Sequence, residues 1–489
     1  MRQNHSILRV LLTKYCGPAM LAAAALLLVG NASWADGNGQ GNNENGNGNK
    51  GNEAGDDRAV RLIDVIPVPK TSANATNGKL YSFDISWVDQ DSQLYFLADR
   101  SNAVVDVVDA KTDTFLGQIP GGFAGVAVVN GVVQGGQSGP NGVTTGGKNG
   151  HCLFVTDAPS RVVSFDLNAA HFPTPPPVVN AVSTGGADNF RADELAFQAN
   201  FAPNTGLLLV INPNDPTPFG TFIKVNQTTC ALTPPTSANK VPIDKAHGVD
   251  ATGGAEQPVW NPGTGLFYVS IPNIGPTATQ PEHGGVVSIP PNGTTWTVLG
   301  KGIDFCNPNG LAVGRKGDLF VGCSTVYDTA GNAWDPTKTV TAAPNAIIID
   351  AKDGTINARV LGIGPGDEVW FNAGDGNYYA TGSGSPFRPN PNTAAQGSTP
   401  LGVVDAKDEK ILQQVTTFNV PAVGTGNDST HHPAATAHSV AANSKNNHIF
   451  VPLGANNAFS AFAVPNGGSS AAFDCETGCI AVFAHTDED

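Results

Sequence analysis

The feature that most limits how this chain can fold is a strand–turn–strand unit that returns along most of its length. Asn309-Gly310-Leu311-Ala312-Val313 is followed by a Gly/Lys/Asp turn and then by Leu319-Phe320-Val321. The same shape recurs as Glu256-Gln257-Pro258-Val259-Trp260 before Leu266-Phe267-Tyr268-Val269, and as Asp367-Glu368-Val369-Trp370-Phe371 before Tyr378-Tyr379-Ala380. It returns as His438-Ser439-Val440-Ala441-Ala442 before Ile449-Phe450-Val451, and as Phe83-Asp84-Ile85-Ser86-Trp87 before Leu94-Tyr95-Phe96-Leu97. In these five units the second strand starts ten or eleven residues after the first marked position. Asp193-Glu194-Leu195-Ala196-Phe197 reaches Leu207-Leu208-Leu209-Val210 after fourteen. A seventh unit, Ala124-Gly125-Val126-Ala127-Val128 to Cys152-Leu153-Phe154-Val155, fits with a long Gly-rich insertion.

An outer half repeats too. Val107-Val108-Asp109-Ala110-Lys111, Ile348-Ile349-Asp350-Ala351-Lys352 and Val403-Val404-Asp405-Ala406-Lys407 each end a strand and open a turn. Asp suits such a turn because its carboxylate accepts a bond from the local backbone. Each unit therefore reads as four strands, and a four-stranded unit that cannot bury its faces alone is stabilised by stacking on its neighbours. The expectation is an all-β, seven-bladed β-propeller, with six the alternative count because the second unit is the weakest. Two separate β-sandwiches are the competing architecture. Composition agrees with many short strands: 58 Gly and 36 Pro punctuate the chain, and only 14% of residues are charged.

Residues 1–35 read as a secretory signal peptide. Arg2, Arg9 and Lys14 precede an apolar run from Ala19 to Gly30, which ends at Ser33-Trp34-Ala35. Residues 36–57 are almost all Gly, Asn and other polar types, a flexible tether. That leaves 58–489 for the propeller, with no membrane span in the mature chain and a periplasmic or secreted location. The formal net charge of −15 argues against nucleic acid or an anionic membrane surface as a partner. Six cysteines remain outside the leader, and in an exported chain an even number reads as disulfides. They allow 15 connectivities; proximity favours Cys306 with Cys323 and Cys475 with Cys479, leaving Cys152 with Cys230.

In a propeller the innermost strands all begin at one end of the central channel, so equivalent residues there form a ring. Read through the units, that ring is Phe83, Ala124, Asp193, Glu256, Asn309, Asp367 and His438. Five of the seven are oxygen or nitrogen ligand types, which suit a divalent cation: Ca²⁺, Mg²⁺ or Mn²⁺, or Zn²⁺ through the imidazole. Polar side chains that only satisfy strand-end backbone groups are the plainer reading. Trp260 and Trp370, on inner strands, read as packing between blades.

Two resemblances arise at these residues. Glu256-Gln257-Pro258-Val259-Trp260 and Pro308-Asn309-Gly310-Leu311-Ala312 resemble the metal-binding glutamate and asparagine strands of the senescence-marker protein/gluconolactonase family. That resemblance implies a divalent-metal-dependent lactonase or related hydrolase with Glu256 and Asn309 as ligands. The family's third ligand, an aspartate in a Pro-Asp-Gly setting, has no counterpart here, so Asp193 or Asp367 would have to serve. Leu94 to Asp109 with Thr114-Phe115-Leu116-Gly117-Gln118-Ile119 resembles a repeat of the YVTN-type seven-bladed propellers, which implies a non-catalytic exported protein that binds a protein, a glycan or a small ligand.

For the hydrolase, a channel cation would polarise a lactone or ester carbonyl of a small-molecule substrate and acidify a water. His438, then Asp367, are the candidate bases, with Glu194 and Glu368 placed to orient them. His247, just upstream of the Glu256 strand, is a further candidate for the channel mouth; His431 and His432 read as loop residues. The chain has no CxxCH haem site, no GxSxG elbow and no Walker loop.

Overall fold

The turns are where the sequence dictates local geometry most directly. Asp109, Asp350 and Asp405 each accept the backbone N–H two residues on, from Lys111 at 2.9 Å, Lys352 at 2.8 Å and Lys407 at 2.7 Å. These are three copies of one Asx turn, as the repeated Asp-Ala-Lys triplets predict. The inner hairpins share a second device. Asn261, Asn372 and Asn443 carbonyls accept from Gly265, Gly376 and Asn447, four residues on. Those three residues have φ of 71°, 74° and 59°. Gly and Asn fill the position because both tolerate the left-handed region.

The computed structural model describes residues 56 and 58–486, apart from 188, 277–282, 329, 334–344, 362, 364–365, 382–387, 390–396, 399–400, 416, 418–419, 438 and 456–474. The expected leader, residues 1–35, and nearly all of the tether, residues 36–57, lie outside the described residues. None of the described helices is long and apolar enough to cross a membrane.

Seven antiparallel sheets form the domain, each of four strands except blade 4, where a short fifth strand, Ile303–Asp304, also pairs with His283–Ile289. Their innermost strands are Ser86–Asp89, Val143–Gly146, Leu195–Ala202, Pro258–Asn261, Cys306–Val313, Glu368–Asn372 and Ala441–Asn443, in blades 1 to 7. Consecutive innermost strands touch in cyclic order, and blade 7 returns to blade 1. Seven, not six, is the count. The ring is closed by the chain's beginning: Ala59–Pro67 pairs antiparallel with Cys479–Thr486 and supplies the outermost strand of blade 7.

The second strand of each blade lies in mid-sheet with neighbouring blades on both faces, so it is buried along most of its length. Cys152–Asp157 is wholly buried, whereas the outermost Ile356–Leu361 of blade 5 alternates. Aromatic pairs sit at four of the seven junctions: Tyr95 meets Phe450, Phe154 meets Phe197, Phe222 meets Phe267, and Phe320 stacks on Tyr378 at 4.4 Å. Such pairs add about 0.5–1.5 kcal/mol each beyond the area they bury. Trp260 packs on Phe267 and Trp370 on Trp87, as packing residues should. The disulfides are Cys152–Cys230, Cys306–Cys323 and Cys475–Cys479, the pairing that proximity favours. Three closed disulfides suit an oxidising compartment.

Candidate functional site

One hydrogen bond marks the equivalent position in five blades. The backbone N–H groups of Asp84, Asn141, Asp193, Glu256 and Asp367 donate to Ala98, Thr156, Ile211, Ser270 and Thr381 in the adjoining second strands, at 2.9–3.1 Å. Asn309 sits at the corresponding point of blade 5, within the irregular pairing between Pro308 and Leu311. The ring is therefore Asp84, Asn141, Asp193, Glu256, Asn309 and Asp367; His438, the blade 7 candidate, lies outside the described residues. Two sequence expectations are corrected. Phe83 is one residue short of the ring, and its place belongs to Asp84. Ala124 precedes the exposed hairpin Val128–Val129/Val132–Val133, and the true blade 2 strand starts after Asn141.

On the side of blades 1 to 3, two arginines neutralise the ring. Arg100, from the turn after the second strand of blade 1, donates to Asp84 through Nη2 and to the Asn141 amide oxygen at 2.8 Å. Arg191 reaches Asp193 at 2.5 Å and Asp84 at 3.4 Å. The Asn141 amide donates to the carbonyl of Ala192 at 2.8 Å, which ties this network to the backbone. Burial would lower the Arg191 pKa, but Asp193, Asp84 and Glu256 outweigh it and hold the guanidinium above its usual value. Asp193 is pushed up to about 7 by burial, opposed by Arg191 and reinforced by Asp84.

No cation faces the ring on the other side among the described residues. Asn309 donates to Asp367 at 2.9 Å and accepts from the Ser324 hydroxyl at 2.6 Å. Half-buried Glu256 has its pKa raised well above the carboxylate range by burial and by the charges of Asp193 and Asp367. One residue further in, Glu194, Gln257 and Glu368 line a cavity of about 20 Å³ on the channel axis. Burial raises Glu194 and Glu368 strongly as well. The channel therefore gathers six carboxyl groups (Asp84, Asp193, Glu194, Glu256, Asp367, Glu368) around two guanidiniums.

The remaining candidates fall elsewhere. His247 is exposed on the short helical turn Lys245–His247, its ring held by Asp244 at 2.8 Å. His431 pairs with Asp428 at 3.0 Å in an exposed loop, and His432 stacks on Tyr81 at 3.6 Å. Among the described residues, the only three His, Cys, Asp or Glu groups with ligand atoms all within 4.8 Å are His151, Cys152 and Cys230. Those two sulfurs are bonded to each other. The carboxylates of Asp193, Glu256 and Asp367 thus do not all converge within that distance, and Asp193 is committed to Arg191. Sequence reasoning missed Asp84, Arg100, Asn141 and Arg191. Asn141 had a signal: Pro140-Asn141-Gly142-Val143 repeats Pro308-Asn309-Gly310-Leu311. The arginines had none, because they sit in turns outside the repeated strand pattern.

No protein-family model matches the sequence, and no curated protein matches it. Among solved structures, hydrazine synthase of Kuenenia stuttgartiensis is similar at a TM-score of 0.48 and 12% identity, covering 78% of this chain and 93% of that one. The β-propeller domain of Myceliophteria thermophila Cps50 (Swd1) is similar at a TM-score of 0.46 and 9% identity, covering 88% and 100%. At such distances the site has to be read from its own geometry.

Proposed function

We propose that this is an exported, periplasmic or secreted propeller whose channel mouth holds a divalent cation and hydrolyses a lactone or ester of a small molecule. The observation that carries the reading is the uncompensated acidity of one half of the channel. Six carboxyl groups face two guanidiniums, and both guanidiniums are spent on Asp84 and Asp193. Glu256 and Asp367 fit a cation: they repel each other, and the charge of Arg191, itself paired with Asp193 and Asp84, offsets only part of the rise that burial and repulsion impose on Glu256. Asn309 fits beside them because its hydrogen bond fixes the Asp367 carboxylate. Asp193 does not fit as a ligand, since Arg191 already neutralises it.

A divalent cation at that position would polarise a substrate carbonyl and acidify a water. The chain's own groups do the rest. Asp193, with a pKa near neutrality, is suited to hold and release a proton at Oδ1, while Arg191 holds Oδ2 and keeps the carboxylate oriented. His438 and Asp367 remain the other candidate bases. Elemental mass spectrometry of the purified protein, with and without chelator, tests the reading. The expected result is a bound divalent ion lost in Glu256→Ala, together with lactone or ester hydrolysis lost in the same variant. A protein that takes up no Ca²⁺, Mn²⁺ or Zn²⁺, or unchanged metal content in Glu256→Ala, overturns it.

An exposed apolar patch favours a second reading. Val128, Val129 and Val132 of the blade 1–2 connection and Val423 of the blade 6–7 connection are 42–47% exposed. The two connections meet where the Val133 N–H donates to the Thr425 carbonyl at 2.7 Å. Both lead into innermost strands, so the patch belongs to the channel-mouth end. Large apolar side chains grouped on one rim suit a protein partner, as in a non-catalytic binding propeller.

A further inference from the structure

The deeper cavity has an unfinished electrostatic account. Glu194 is 8% exposed, and its Oε2 is fully enclosed with no hydrogen-bond partner among the described residues. Glu368 is 1% exposed and split in character. Its Oε2 accepts from the Ser439 hydroxyl and from the N–H groups of Ser86 at 3.4 Å and Val440 at 3.3 Å. Its Oε1 is enclosed and has no partner among the described residues. Both side chains line the same cavity of about 20 Å³, whose other walls include Ile85, Trp87, Val143 and Leu195. A buried carboxylate oxygen without a donor costs several kcal/mol unless it is protonated or meets a cation.

We infer that Glu194 and Glu368 bind a divalent cation inside the channel, in a site separate from the Glu256–Asp367 mouth and not dependent on it. Two carboxylates supply a charge of −2 and up to three free oxygens, those of Glu194 and Oε1 of Glu368, since Glu368 Oε2 is held by its three donors. The cavity has room for about one ion or one water. Ca²⁺, with its flexible oxygen shell, and Mn²⁺ suit such a place; Mg²⁺, which keeps several waters in a strict octahedron, does not. The Gln257 carbonyl oxygen is taken by the Leu311 N–H at 2.6 Å, so Gln257 contributes its amide NH₂ rather than a ligand. Glu194 comes from blade 3 and Glu368 from blade 6, so a cation between them ties the ring together across its centre.

The test uses the whole mature chain, stripped with chelator and then titrated with Ca²⁺ or Mn²⁺ at pH 8. Bound metal is counted after desalting, and Tm is read with and without cation. The expected result is that Glu194→Gln and Glu368→Gln each lose one equivalent of metal and the cation-dependent rise in Tm. In chelator, both variants should melt at or above the wild-type temperature, because each removes an unpartnered buried charge. Glu256→Ala should keep this equivalent, so loss of the mouth site and loss of the inner site are separately visible. Proton release by wild type on cation addition at pH 7 is a second readout that needs no variant to fold. Unchanged metal content and Tm rise in both glutamine variants would overturn the inference. So would wild type that takes up neither ion and releases no protons, which would leave an acid pair around a water.

Discussion

The two halves of the channel are made from the same residue type at the same blade position, yet they solve the problem of buried charge differently. On the side of blades 1 to 3, Asp84 and Asp193 are paired with Arg100 and Arg191, and Asn141 anchors the group to the backbone. On the side of blades 4 to 6, Glu256, Asp367 and Glu368 meet hydroxyls, amides and one another. The ring carboxylates of the first half, Asp84 and Asp193, are paired within the protein, while Glu256 and Asp367 of the second, and Glu194 one residue inside blade 3, have no ion pair among the described residues.

The covalent staples differ in the same sense. Cys152–Cys230 joins blade 2 to blade 3 across 78 residues, whereas Cys306–Cys323 lies within blade 5 and closes 17. In the chain-entropy model the longer loop stabilises by about 4–5 kcal/mol and the shorter by about 3. The Cys152→Ala/Cys230→Ala pair should therefore cost more in urea unfolding than Cys306→Ala/Cys323→Ala. Equal losses, or the reverse order, would mean that the arginine half owes its integrity to the ion network alone.

Substitution of the charges gives the next largest effect. Arg191→Met leaves Asp193 without its ion-pair partner in a buried setting, a change that typically costs about 3–5 kcal/mol. Glu256→Gln, measured in chelator, should be within about 1 kcal/mol of neutral, because it removes repulsion rather than a pair. Denaturant midpoints at constant m-value decide the matter. Comparable losses in both variants would show that Glu256 has a stabilising partner and that the two halves are alike.

How much of this was legible in the sequence follows from what repeats. The fold was readable because hairpin turns and Leu-Phe-Val strands recur in register, and Asp193, Glu256, Asn309 and Asp367 fell on the ring through that register. Asp84 was missed by one residue, since Phe83-Asp84-Ile85-Ser86-Trp87 offers no second acidic strand start to align against. Asn141 was hidden by the hairpin inserted before it, which supplied a competing Val-rich stretch at Val126–Val129. Closure by Ala59–Pro67 was invisible because an unpaired strand carries no turn signal and its partner begins more than four hundred residues later. The division into a neutralised and an unneutralised half depends on where two turn arginines reach, and strand periodicity carries no information about that.

The smallest effect is a slope with pH, and its sign separates the two halves again. Asp193 has a folded-state pKa of about 7, and Glu194, Glu256 and Glu368 are all raised, whereas the unfolded chain releases these protons near pH 4. The folded state therefore binds more protons than the unfolded state above that pH. Stability present at low pH is lost as pH rises through the folded values, by about 1.4 kcal/mol per unit for each proton of difference. Asp99, pushed up to about 6 by burial, and Asp106, raised by burial and by the charge of Asp99, add to the same slope in blade 1, so the measurement belongs in an Asp99→Asn/Asp106→Asn background. In chelator, urea stability should fall from pH 4.5 to pH 7.5. With saturating Ca²⁺ it should flatten, because the cation replaces the protons on the carboxylate half and leaves the arginine-paired half unchanged. A slope that persists in Ca²⁺ but disappears in Asp193→Asn would place the titration on the arginine half and remove the distinction between them.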